Sequence, residues 1–295
     1  MLRLPSLPVV SLLAGASLWG VVWYPYRLLG AAGLDGAWAT VLTYGVALVV
    51  GTAIFLGHWR DVMRAPWACL AMGFAIGWSN LAYVIGVLEG EVMRVLLLFY
   101  LAPLWTVPLA HVLLGERLDA RGGAVMAIAM AGAAVMLWHP DLGVPWPSSR
   151  AEWLGVTAGF LFALGNVLVR SLANLRDTTK SLAIWGGVTA ASILYLPWAP
   201  TATDAAMRVA AVSWGIWLPV GLALVAMSLA LQYGLSRVPA NRAIVILLFE
   251  LVVAAFAAYW LAGETLRAQD WIGGSLIVAA SLASGLERRP ARPAA

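Results

Sequence analysis

Ten apolar stretches of about 20 residues, separated by short polar breaks, constrain this chain more than any single motif does. A helix rises 1.5 Å per residue, so about 20 apolar residues cross the roughly 30 Å of a bilayer's hydrocarbon. The stretches run over residues 8–29, 36–57, 66–88, 92–114, 122–138, 151–173, 181–199, 212–235, 241–262 and 270–287. The breaks are too short to hide a soluble domain; the longest, His139 to Arg150, is a Pro-rich turn. Composition agrees: 62% of the 295 residues are hydrophobic and 11% are charged, against roughly a quarter charged in a soluble domain. The chain is predicted to be an all-α integral membrane protein.

Arg3, the apolar run after it and the small triplet Ala14-Gly15-Ala16 imitate a cleavable signal peptide. Pro5 and Pro8 interrupt the supposed apolar core, however, and hydrophobicity continues to Leu29, which predicts a retained first helix. Ten spans put both termini on one side. That side then collects thirteen of the eighteen Lys and Arg residues, so the positive-inside rule predicts cytoplasmic termini. Most tryptophans fall near predicted helix ends, where the indole suits the membrane boundary. Trp19, Trp78 and Trp105 sit mid-span, as lipid-facing bulk or as an internal aromatic wall.

The sequence repeats weakly. A shift of 148 residues lays Arg94-Val-Leu-Leu-Leu-Phe and Leu114-Gly115-Glu116-Arg117 on Arg242-Ala-Ile-Val-Ile-Leu and Ala262-Gly263-Glu264-Thr265. Gly115 and Gly263 suit helix C-caps, where a positive φ is cheap for glycine. Five spans per copy is an odd number, so the second copy must enter the membrane from the opposite face. Residues 1–140 and 141–295 are therefore predicted to be two inverted five-helix repeats around a central cavity, the second ending in a short basic tail. Transporters recur with this architecture, binding substrate near the midplane between the halves.

Leu18-Trp19-Gly20, Ala102-Pro103-Leu104, and the Gly115-Glu116 and Gly263-Glu264 pairs that close spans 4 and 9 resemble the EamA-like branch of the drug/metabolite transporter superfamily. Within it the chain is most similar to bacterial amino-acid exporters of the YddG type. The resemblance implies a secondary transporter of the inner membrane that exports aromatic and other neutral amino acids by alternating access. The second copy departs from the pattern, with Glu250-Leu251 where the first has Ala102-Pro103.

Polar side chains deep in hydrocarbon are costly unless paired or facing water, so they are functional candidates. Glu250 is the one acid near the centre of a predicted span, suited to proton coupling or to a substrate ammonium; bracing of its helix is the structural alternative. Asn80 and Tyr83 lie three residues apart and share a helix face. Tyr100 begins another face, with Leu104, Val107 and His111 at helical spacing. Asn166, Ser228 and Gln232 add amide and hydroxyl groups for a zwitterion, or hydrogen bonds between helices. Trp19, Trp78, Tyr83 and Tyr100 could form an aromatic wall for flat apolar side chains. Arg94 faces the acidic pair Glu89 and Glu91 at a cavity mouth, or else snorkels to lipid phosphate as Arg242 does. Pro103, Pro108 and Pro219 are candidate kinks or gates. Gly123, Ala127 and Ala131 in span 5, and Ser275, Ala279 and Ala283 in span 10, are small faces that either pack together or form a homodimer seam.

Cys69 is the sole cysteine, and His58, His111 and His139 lack ligand spacing, so neither a metal nor another cofactor is expected. The scattered cations are no nucleic-acid surface, and no Walker motif offers ATP as a direct energy source. An intramembrane enzyme would need clustered acids or an activated nucleophile near one face, so catalysis is not expected. The expected partners are the bilayer and a small amino-acid substrate. Two other functions fit the residues: export of cationic or lipophilic drugs, and a membrane scaffold or receptor that moves nothing.

Overall fold

The structure is a computed structural model that describes residues 6–90, 92–138, 146–263 and 265–285. Arg3, Glu91, His139, Glu264 and the arginines of the basic tail lie outside the described residues. Among those described, the chain is helical throughout, in the order α1 (Leu7–Ala31), α2 (Gly36–Ile54), α3 (Trp59–Arg64), α4 (Pro66–Glu89), α5 (Val92–Phe99), α6 (Ala102–Leu114), α7 (Ala120–Leu137), α8 (Arg150–Ser171), α9 (Asp177–Tyr195), α10 (Thr203–Val212), α11 (Trp214–Leu235), α12 (Ala240–Leu247), α13 (Phe249–Ala262) and α14 (Ala268–Gly285). Nine segments are long and apolar enough to cross a membrane, with α5–α6 and α12–α13 each counting as one. The tenth predicted stretch forms a helix, α14, 18 residues long, that is not one of these nine. Gln269 and Asp270 in its first turn keep it from meeting the same standard of apolarity.

Local chemistry sets the helix ends. Asp35 Oδ1 accepts from the backbone N–H groups of Ala37 and Trp38 at 2.9 and 3.1 Å, and Asp119 Oδ1 accepts from Gly122 N at 2.7 Å. These N-caps satisfy donors that a helix start leaves orphaned. Gly115 and Gly263 close α6 and α13 at φ +66° and +70°, where a side chain would be strained. α3 and α10 differ from the predicted polar breaks. Ala206 and Ala210 bury one face of α10, and Trp217 Nε1 donates to Ala210 O at 2.8 Å.

The helices pack in a set of pairs that maps onto itself when the two halves are exchanged. α4 lies on α8 and α9, and α11 lies on α1 and α2; α6 meets α8, and α13 meets α1; α2 meets α9, and α7 meets α14. Glycine permits the close approaches. A Cβ on Gly132 of α7 would stand 2.7 Å from Gly273 O of α14. Gly132 and Gly273 meet at this seam, beside Met136 and Ile277. Ala127, Ala131, Ser275 and Ala279 are exposed, so α7 and α14 do pack together but not through the predicted stripe.

The start of α1 and the end of α14 belong to one face, that of the chain ends. A Cβ on Gly285 at the end of α14 would touch Val9 near the start of α1. Arg242 Nε at the start of α12 donates to Ser284 O at 2.7 Å, which replaces the expected lipid phosphate with a helix anchor. On the opposite face Arg94 forks onto Glu152, Nε to Oε1 at 2.9 Å and Nη2 to Oε2 at 3.0 Å. Glu152 is thus an acid that Arg94 holds, and Glu89 lies 3.6 Å from Arg150; the expected partner Glu91 lies outside the described residues. Ser149 and Glu152 are spaced as a capping box, with Glu152 N donating to Ser149 Oγ at 3.3 Å.

Candidate functional site

Two of the long spans are broken at mid-depth. Pro103 brings no N–H and crowds the residue before it. α5 therefore ends at Phe99 and α6 restarts at Ala102, with Tyr100 and Leu101 between them. The second break, at Leu248 between α12 and α13, has no proline. Glu250 lies in the first turn of α13, where the exposed N–H groups of a half-helix favour an anion.

The breaks meet. Tyr100 Oη donates to Glu250 Oε1 at 3.2 Å, joining residues 150 apart in sequence. Around this bond stands an aromatic cluster. Phe99 has its ring centroid 5.1 Å from Tyr100, 5.2 Å from Tyr83 and 5.3 Å from Phe162 of α8. From the other side Gly20 of α1 holds α13 close: a Cβ there would stand 2.8 Å from Glu250 O and 2.8 Å from Val253 Cβ. The glycine of Leu18-Trp19-Gly20 thus seats the acidic break against α1, with Trp19 half-buried beside it.

The structure brings some of the predicted residues together and separates others. Tyr83, Tyr100 and Glu250 converge, and Asn80, one turn from Tyr83 on α4, has a buried Oδ1 without a hydrogen-bond partner. Trp78 does not join them: 38% exposed, it stacks on Phe74 in an exposed stripe of α4 with Trp67 and Leu70. Ser228 is committed to the indole of fully buried Trp185, whose Nε1 donates to it at 2.9 Å. The face predicted from Tyr100 through Leu104 to His111 does not exist as one face. The break resets the helical phase, and Leu104 and His111 are exposed. Trp105 sets its ring edge-on to Phe160 at 5.6 Å. Asn166 and Gln232 are buried further towards the face of the chain ends, on α8 and α11.

Sequence reasoning missed Phe99, Phe162 and Asn241. The two phenylalanines are ordinary apolar residues in apolar runs. Asn241 opens the ninth predicted stretch and reads as a polar boundary, but in the structure it is 6% exposed.

Residues 149–285 match the model of the EamA-like transporter family. The chain carries an EamA-like transporter domain. A relative from Archaeoglobus fulgidus, named an uncharacterized transporter, is 26% identical over 226 residues, which is 76% of this chain and 78% of that protein. The two findings support the EamA branch of the drug/metabolite transporter superfamily, as the resemblance implied. A solved crystal structure shares the fold with a TM-score of 0.71 at 16% identity, over 93% of this chain and 97% of that one. The apolar helices and the family match support a multi-pass membrane protein, and the EamA-like family is made up of transporters rather than enzymes.

Proposed function

We propose that the protein is a secondary transporter exporting aromatic and other neutral amino acids across the bacterial inner membrane by alternating access. In this reading residues 1–140 and 141–295 are inverted repeats, both termini are cytoplasmic, and substrate binds where the two broken spans meet. The observation that carries the reading is the Tyr100–Glu250 bond inside an aromatic wall. A substrate ammonium can take the place of the Tyr100 hydroxyl at the Glu250 carboxylate, in surroundings of low dielectric where charge attraction is strong. A flat side chain can then lie against Tyr83, Phe99 and Phe162, burying apolar surface with offset ring contacts. Asn80 Oδ1, buried without a partner, supplies a further acceptor for the substrate ammonium.

The same acid and rings would suit a cationic drug, so the test must separate the two. Flux of labelled phenylalanine, tryptophan, threonine and a cationic drug is measured in liposomes carrying the purified protein, with and without an imposed pH gradient. Saturable amino-acid flux that unlabelled analogues compete away is expected. Flux of the drug alone refutes the amino-acid reading, and no flux of any solute favours a scaffold.

A further inference from the structure

On the face of the chain ends, Glu116 ties four segments into a knot. Its Oε1 accepts from Arg170 Nε at 3.3 Å, and its Oε2 accepts from Ala240 N at 2.8 Å. Arg170 Nη1 donates in turn to Ser236 O at 2.6 Å. The end of α6, the end of α8, the loop after α11 and the start of α12 are thereby drawn to one point. Beside it Asp177 accepts from Arg237 at 2.7 Å and from Ser236 Oγ at 2.8 Å, and pairs with Lys180, whose side chain is wholly buried.

Three primary amides stand immediately inside the knot. Asn166 precedes Arg170 by one helical turn on α8, Gln232 precedes Ser236 by one turn on α11, and Asn241 adjoins Ala240 at the start of α12. They are 7%, 4% and 6% exposed. Asn166 Nδ2, Gln232 Oε1 and Asn241 Oδ1 have no hydrogen-bond partner. Buried polar atoms are almost always partnered, so three such amides on neighbouring segments are candidates to bind a polar ligand. An oxygen-only set would suit a metal ion and an apolar set a hydrocarbon. One donor and two acceptors, all uncharged, suit a group that is donor and acceptor at once and neutral overall.

We propose that Asn166, Gln232 and Asn241 form a second docking station for the zwitterionic head of an amino acid, between the Glu116–Arg170 knot and the midplane. The two acceptors take the ammonium and Asn166 takes the carboxylate. The proposal rests on the amino-acid transport reading and adds a stop on the route. Nine residues along α12–α13 separate Asn241 from Glu250, about 13 Å at the rise of a helix, which is further than one amino acid spans. The stations are therefore occupied one at a time, and neutral amides hold a zwitterion weakly enough to pass it on, as conduction through successive sites requires. The knot is the barrier between this station and the aqueous phase.

The test uses the full chain in proteoliposomes, in a Cys69→Ala background that leaves no other thiol, with Asn241→Cys as the reporter. A membrane-impermeant methanethiosulfonate is applied from the face of the chain ends, with and without saturating phenylalanine. Labelling is expected to accelerate about tenfold when Glu116→Gln loosens the knot. Phenylalanine is expected to slow it at least threefold, and to do so equally when Tyr83→Ala weakens the midplane site. Asn166→Cys gives the same reading from α8 should the first variant fold poorly. Loss of protection with Tyr83→Ala would mean a single site and overturn the proposal, as would labelling indifferent to Glu116→Gln. Phenylalanine transport by the wild type without any protection overturns the second station alone. Absence of both transport and protection overturns the amino-acid reading with it.

Discussion

Gly20→Ala is a one-carbon test of how tightly the acidic break is held. The added Cβ would stand 2.8 Å from Glu250 O and Val253 Cβ, and 3.0 Å from Ala254 N. Ordinary contact begins near 3.4 Å, so α1 and α13 must part by about 0.6 Å, and two of the three obstacles are backbone atoms. Overpacking of this kind costs about 1–3 kcal/mol. A displacement of that size at the backbone of Glu250 disturbs the 3.2 Å Tyr100–Glu250 bond, which is worth about 1 kcal/mol, roughly fivefold in affinity, and which a substrate ammonium must displace. Thermal unfolding in detergent should show a lowered midpoint, and amino-acid flux a severalfold lowered KM. Gly45→Ala on α2 is the control, because a Cβ there meets nothing within 4 Å; a helix-interior alanine should leave stability unchanged or raise it by about 0.5–1 kcal/mol. If Gly20→Ala unfolds at the wild-type temperature with wild-type KM, α1 does not hold the break and the reasoning is wrong.

Other substitutions bear on separate parts of the molecule. Glu250→Gln should abolish any response of flux to an imposed pH gradient while phenylalanine still competes for binding; an unchanged response removes the acid from coupling. Tyr83→Ala should lower transport of aromatic substrates severalfold and Trp78→Ala should leave it unchanged, since only Tyr83 contacts the ring cluster; equal losses in the flux assay would contradict the outward placement of Trp78. Glu152→Gln breaks a two-bond charged fork to the partly buried Arg94 and should cost about 2 kcal/mol, read as a lowered midpoint in detergent. A wild-type midpoint would mean that the fork contributes nothing to holding the start of α8.

Much of the fold was legible because lipid simplifies the problem. Every spanning backbone group must be paired within its own segment, so a run of about 20 apolar residues can only become a helix. Hydrophobicity alone therefore located the spans, the glycine repeat located two left-handed caps, and the rarity of charge in hydrocarbon singled out Glu250. What the sequence could not supply was rotation and phase. In lipid both the buried and the exposed faces of a helix are apolar, so no amphipathic stripe announces which side turns inward. Trp78 and Tyr83 look alike in sequence, yet one faces outward and the other enters the cluster. The break at Leu248 has no proline to mark it, and the break at Tyr100 resets the helical count that linked that residue to His111. Ser228 and Asn241 traded roles for the same reason: a polar side chain in a span must find a partner, and only the arrangement of neighbouring helices decides which one does. Trp185 reached Ser228, while three amides beneath the Glu116–Arg170 knot were left with unpartnered atoms.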